Sequence, residues 1–424
     1  MTFNGSAGSI AADFPYLDFP QPRREEINDD LDFLVYEDPS RSVITVDIIW
    51  RSGFRYHKKG SIPYMMSKML MRGSKNRNAI GIANALEQYG AQLTIDAEQD
   101  IIGIHMKILA HDLDATLPLL TEILNTPTFL DKELVTLKEI VKSEVAQQHA
   151  SPSFTAQEAL RKAIFGRHHP YAYTPTEGDI DRVTTQELKR YYLDYRWNRP
   201  YIIITGNITS QRSRLIKKVL AGHIPITHQE VTAPDLQPGD QQQRIIHSNS
   251  KQSSVMMGQP TILYNHTDYA DLFIANVLLG GFFGSRLMQT LREKKGYTYG
   301  IYSHMVPWEQ NTYWCIATEV TQSATEEAID AIKTEIIGLQ SQLANKKEME
   351  LLRNYVLGRL LANFDSIFSL AKFYWTTCTH SMDMHYYQHL YERAKSITPE
   401  RICEVAKLYF HVDKLHEVVV TSSH

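Results

Sequence analysis

At 424 residues the chain exceeds what one ordinary hydrophobic core supports, so two or more domains are expected. Its 43% hydrophobic and 22% charged content is that of a globular protein, and a net charge of −4 argues against nucleic acid or an anionic membrane as the main partner. No apolar run is long enough to span a bilayer; the longest, around Phe273 to Phe283, is broken by Asn276 and two glycines.

In chain order, Met1 to Asp13 offers neither a basic stretch nor an apolar one, so no signal peptide is supported. A sequence beginning after a removed signal reads the same way. A helix is predicted to end at Tyr89 and Gly90, where glycine suits the left-handed cap. Two strand-like runs follow, about 91–97 and 101–108, then helical patterns over about 113–124 and 132–148. Arg182 to Leu188 opens another helix, to about Tyr195, with Thr as N-cap and an early Glu. The apolar strand Tyr201–Gly206 closes the set.

The stretch 224–243 carries Pro225, Pro234, Pro238 and Gly239 without apolar periodicity and reads as a linker. The order then repeats. A helix ends at Lys295 and Gly296, strands cover about 297–305 and 312–318, and helices cover about 324–343 and 346–362. A helix with Pro399 at its first position runs to about Phe410, and Glu417 to Thr421 is the last strand. This duplication predicts an α+β protein of two similar domains, 1–223 and 244–424. Each is expected to be a largely antiparallel sheet with helices packed on one face. Cys315, Cys378 and Cys403, an odd count without CxxC spacing, fit a reducing compartment and no cysteine metal site, and read as small buried side chains. The cytoplasm is the expected location, the periplasm the alternative.

The most informative segment is Pro63 to Ser74, PYMMSKMLMRGS. Residues at i, i+3 and i+4 share a helix face, and here those positions hold Tyr64, Ser67 and Lys68. The segment resembles the first catalytic helix of the pitrilysin, or insulinase, metallopeptidases, in which His-x-x-Glu-His precedes Met-Leu. The frame Met69 to Ser74 is kept and the ligands are not. A charged lysine has three donors and no acceptor, so it repels a divalent ion. Ser67 stands where the family's water-activating Glu would be.

Further resemblance lies in Phe165 to Tyr171, in Glu144 eight residues before Pro152, and, most specifically, in Gly284 to Leu287 followed by Leu291 to Tyr299. It implies a chamber enclosed with a partner subunit and makes Glu144 the retained position of a zinc ligand. Lys68 and Glu144 are expected to face each other, an ion pair replacing the metal, so that Lys68→Ala strands a partly buried carboxylate at large cost. It also implies that Arg292 and Tyr299 bind the substrate carbonyl, where negative charge develops in peptide hydrolysis. By themselves, Arg292 is a favourable residue near a helix C-terminus and Tyr299 an ordinary sheet aromatic. His168 and His169 read as a solvent loop, and Lys58 and Lys59 as a solvated turn.

The resemblance implies the zinc-less subunit of a heterodimeric peptidase. That subunit would bind no cofactor and carry no catalytic residue of its own. Its partners would be an HxxEH-bearing homologue holding zinc and an unstructured peptide. The alternative is a non-enzymatic structural or peptide-holding protein similar to the core subunits of the cytochrome bc1 complex.

Overall fold

The computed structural model describes residues 21–28, 31–221, 225–247, 252–364, 366–380, 382 and 384–422. The first half runs β1 Arg23–Asn28, β2 Leu31–Glu37, β3 Val43–Trp50, α1 Ser61–Met69, α2 Ala79–Gln88, β4 Gln92–Ala97 and β5 Ile102–Leu109. It continues α3 Leu113–Asn125, α4 Asp131–His149, α5 Pro152–Phe165, α6 Glu177–Asp181, α7 Thr185–Tyr195, β6 Tyr201–Gly206 and α8 Ser210–Ala221. The second half runs β7 Gln242–Ile246, β8 Gln252–Thr261, α9 Tyr269–Asn276, β9 Thr298–Pro307 and β10 Thr312–Thr321. It ends α10 Thr325–Ser341, α11 Lys346–Ala362, α12 Ile367–Thr379, α13 Met384–Ser396, α14 Pro399–Tyr409 and β11 His416–Thr421.

The local chemistry foreseen from sequence sets several of these ends. Thr184 and Glu187 form a full capping box on α7. Thr398 caps α14 ahead of Pro399. Gly90 (φ 58°) and Gly296 (φ 65°) take the left-handed conformation that stops their helices.

Apart from the extra edge strand β1, the sheets share one strand order. The first is ordered β1-β2-β6-β3-β5-β4 and the second β7-β11-β8-β10-β9. In each, one pair is parallel (β2 with β6, β7 with β11) and the other pairs are antiparallel. The two halves are thus the α+β repeats expected, with one correction: helices cover both faces of each sheet. Alternate residues of β3 and β6 face opposite ways. Ile48 and Ile202 join their own half's core, while Ile49 and Ile203 join Leu370, Phe373 and Tyr374 of α12. Conversely, α5 lays Ala156 and Leu160 on Met256, Cys315 and Val418 of the second sheet. Each half lends the other a helix. Burial on both faces is why β6 and β11 read as unbroken apolar runs rather than alternating ones.

The halves also meet at their hairpin tips. Arg55, 2% exposed, places Nε 2.7 Å from Asp100 Oδ1 in the β4–β5 turn and Nη2 2.5 Å from Glu309 Oε2 in the β9–β10 turn. Tyr171 donates its hydroxyl to Asp100 at 2.8 Å, and the Glu309 amide donates to the same carboxylate at 2.9 Å. Burial works against the Arg55 charge, but Asp100, Tyr171 and Tyr56 together more than offset it and hold the guanidinium pKa above its ordinary value. Residues 225–241 are irregular yet tied down: Gln237 and Gly239 donate to the carbonyls of Phe165 and Ala163.

Candidate functional site

In α1, Ile62, Met65, Met66 and Met69 recur at helical spacing and are at most 1% exposed. They hold the helix against the core beside α7 and the edge strand β4. Tyr64 and Lys68 are left on the flank toward α4. In α4 the buried stripe is Leu134, Leu137, Val141 and Val145, so Glu144 projects from its side.

Lys68 Nζ lies 3.4 Å from Glu144 Oε2 and 5.1 Å above the Tyr64 ring. The Tyr64 phenol is beside both. Burial pushes its pKa above the ordinary tyrosine range, the Lys68 charge pulls it down, and Glu144 pushes it up again. Two of the three degenerate positions, Tyr64 and Lys68, therefore converge with the retained Glu144. Ser67 does not: it is buried, and its hydroxyl donates to the Tyr64 carbonyl at 2.8 Å.

The expected ion pair is present, but its expected weight is corrected. The Lys68 and Glu144 side chains are 26% and 45% exposed. Water screens such a pair, and its contribution is roughly 0–1 kcal/mol. A carboxylate left behind by Lys68→Ala stays nearly half in solvent, so no large penalty arises. The same residues do not fit zinc: an ammonium, a phenol and one carboxylate offer a single ordinary ligand. Among the described residues no group of three or more His, Cys, Asp or Glu side chains is arranged to hold a metal. His385 and His389 form an HxxxH spacing on α13, and both are exposed.

In the second half, Arg292 lies in the wide helical segment Met288–Lys294, held by buried Met288 and Leu291. Its guanidinium sits 4.6 Å above the Phe283 ring, with Nε 3.5 Å from Glu293 Oε1. Tyr299 is 89% exposed on β9, an edge of its sheet. Thr318 pairs with Ile301 and Val320 with Thr298, so Tyr299 and Gly300 together oppose Glu319 in a bulge. The Thr298 hydroxyl accepts from the Gly300 amide at 3.0 Å, and Thr318 donates to the Gly300 carbonyl at 2.9 Å, fixing it. Tyr299 lines a shallow cavity of about 270 Å³ with Tyr302, Met256 and Ser153 of α5. Arg292 does not line it, and among the described residues no hydrogen bond, ion pair or ring contact joins the two. Tyr302 is the residue sequence reasoning missed; the alternation of Tyr297 to Tyr302 was its signal. Of the adjacent histidines, His168 is exposed, while His169 is buried and bonded to the Pro234 carbonyl at 3.1 Å. A solvent loop describes only the first.

Two similar repeats, the first holding a helix with a zinc helix's frame but a lysine at a ligand position, define the class as peptidase-like. Profile matches agree. Residues 33–174 match the insulinase group, peptidase family M16, and residues 182–356 match the peptidase M16 inactive domain. The chain is 22% identical over 307 residues to the uncharacterized zinc protease YmxG of Bacillus subtilis (strain 168), covering 72% of this chain and 75% of that protein. It is 23% identical over 243 residues to the non-peptidase homolog YmxG of Helicobacter pylori (strain ATCC 700392 / 26695), covering 56% of each. The crystal structure of a peptidase M16 inactive domain from Pseudomonas fluorescens superimposes with a TM-score of 0.86 at 20% identity, over 95% of this chain and 98% of that one. This chain belongs to peptidase family M16, and it carries Tyr64, Ser67 and Lys68 on the helix that resembles that family's zinc helix.

Proposed function

We propose that this chain is the zinc-less subunit of a two-chain M16 peptidase, working against an HxxEH-bearing homologue that supplies zinc. It forms part of the chamber wall and holds an extended peptide segment. The observation that carries this reading is a contrast between two open sheet edges. Beside β4 the zinc helix is closed by Lys68 and Glu144. On β9 a bulge turns a tyrosine hydroxyl fully outward. A peptide added to a sheet edge is held through its main chain, largely independent of its side chains. Arg292 and Tyr299 act there as donors to its carbonyls. Three buried, unpaired cysteines accord with the cytoplasm as its compartment.

The test is a mixing experiment with an HxxEH-bearing homologue from the same source and an unstructured peptide. The mixture is expected to cleave and this chain alone not to. Loss of a donor aimed at the scissile carbonyl, by Arg292→Ala or Tyr299→Phe, should lower kcat/KM of the mixture on the order of 10²-fold. One observation favours the second reading, a non-enzymatic scaffold similar to the bc1 core subunits: Arg292 is stacked on Phe283, apart from Tyr299. Activity indifferent to both residues would decide for the scaffold.

A further inference from the structure

A cavity of about 1020 Å³ lies outside the sites described above. Its walls come from four segments: 54–60 ahead of α1, 167–173 after α5, the 187–195 face of α7, and 231–234. None of Tyr64, Lys68, Glu144, Arg292 or Tyr299 lines it. Two short motifs that looked like plain solvated turns in the sequence, Lys58-Lys59 and the loop carrying Arg167 and His168, meet across it.

Its charge is unusual for a chain of net charge −4. Arg55 lines it, but that guanidinium is taken by Asp100 and Glu309. Four other cations remain, Lys58, Lys59, Arg167 and Arg190, against two carboxylates, Glu187 and Asp194. Both carboxylates are engaged: Lys59 Nζ lies 2.6 Å from Glu187 and Arg190 Nε 3.8 Å from Asp194. Lys58 and Arg167 are exposed and have no ion pair or hydrogen bond among the described residues. A concave cationic surface over low-dielectric walls concentrates its field on an incoming anion. The floor is aromatic. Tyr191 and Tyr195 have ring centroids 4.8 Å apart, and Tyr56 meets Tyr195 edge-on at 5.7 Å. Tyr191 is locked by donating to the Ser52 carbonyl at 2.8 Å.

We infer that this cavity binds an acidic peptide segment, with carboxylates on Lys58 and Arg167 and an apolar or aromatic side chain on the tyrosine floor. An inorganic anion is the poorer occupant. The free cations stand on separate walls rather than converging on one point, the volume holds several residues, and the aromatic floor offers a small anion nothing. The site needs no partner chain, so it is tested on the isolated protein and its outcome is separable from that of the peptidase mixture.

Calorimetric titration would use a hexapeptide of Glu and Asp with one central Phe, its Gln/Asn counterpart, and sodium tripolyphosphate. The acidic peptide is expected to bind saturably, at least tenfold tighter than its neutral counterpart. Lys58→Glu with Arg167→Glu should weaken it at least tenfold, and Tyr195→Ala several-fold. Because Lys58 and Arg167 are exposed, an unchanged far-UV spectrum and melting temperature should accompany the double variant. The inference is overturned by no saturable binding, by equal binding of the neutral peptide, by a double variant that binds as well as the wild type, or by tripolyphosphate that displaces the peptide at lower concentration than the peptide itself.

Discussion

Helices α1 and α9 occupy the same place in the two repeats, each following the central strand and preceding the outer hairpin, and each carries charge. In α9 the charge is sheltered. Asp271 accepts from Arg393 at 2.6 and 2.9 Å and from Arg401 at 2.7 Å, while Arg401 and Tyr409 also donate to Asp268, each at 2.6 Å. The Asp271 side chain is 6% exposed. The Tyr409 hydrogen bond and Arg401 hold the Asp268 carboxyl below its ordinary range. In α1 the ion pair spans 3.4 Å between side chains 26% and 45% exposed. The first cluster ties α9 to α13 and α14 and is part of the fold. The second fills a position where the fold asks for very little, which is how a metal site can be lost while its helix stays in place.

The largest effect should come from the sheltered side. Asp271→Ala removes the shared acceptor of two guanidinium groups that are themselves partly exposed, and about 3 kcal/mol of stability should go with it in denaturant unfolding. A loss under 1 kcal/mol would put the two helices on a par.

Restoring ligands probes the other side. The triple substitution Tyr64→His, Ser67→Glu, Lys68→His rebuilds HxxEH one helix from Glu144. Zinc at about a hundred times its Kd should then stabilise the variant by about 2.7 kcal/mol, read as a melting-temperature rise that wild type does not share. No zinc response in the variant would mean that α1 and α4 no longer hold ligand geometry.

The exchanged helices give an intermediate effect. A Cβ on Gly103 would lie 2.5 Å from the Trp375 ring of α12. Gly103→Ala should therefore cost about 1–3 kcal/mol by overpacking, and Trp375→Ala in the same chain should recover part of it.

Acid should loosen the far end of the same helix. His380, at the end of α12, is pushed down to about 4, chiefly by burial. Its unfolded value near 6.5 is higher, so the unfolded chain binds more protons between these values and stability falls as pH drops through that window. The melting temperature should decline from pH 7 to pH 5 more steeply in wild type than in His380→Gln. The smallest effect is that of Lys68→Ala, below about 1 kcal/mol. A larger loss would show that the α1 pair is better shielded than its exposure indicates.

Much of this was legible in residue order. The repeat was visible because caps and glycines are local: Thr184 with Glu187, Thr398 with Pro399, Gly90 and Gly296 each act within a few residues. The facing of Lys68 and Glu144 was legible only through the family frame, since 76 positions separate them. The weight of that pair was not legible, because exposure depends on how α4 lies against α1. Nor was the bulge at Tyr299, which needs the register of β10.

By itself the sequence determined that α1 cannot be a zinc helix, since an ammonium has no lone pair to give at any geometry. It also determined the twofold α+β order, which period and caps encode locally. Tertiary structure alone decided which faces those elements cover. An apolar run such as Ile202 to Ile204 records that both sides of a strand are buried and carries no mark of which helix does it. That choice depends on contacts between residues far apart in the chain, and it set α12 on the first sheet, α5 on the second, and two unremarkable basic turns on either side of one cavity.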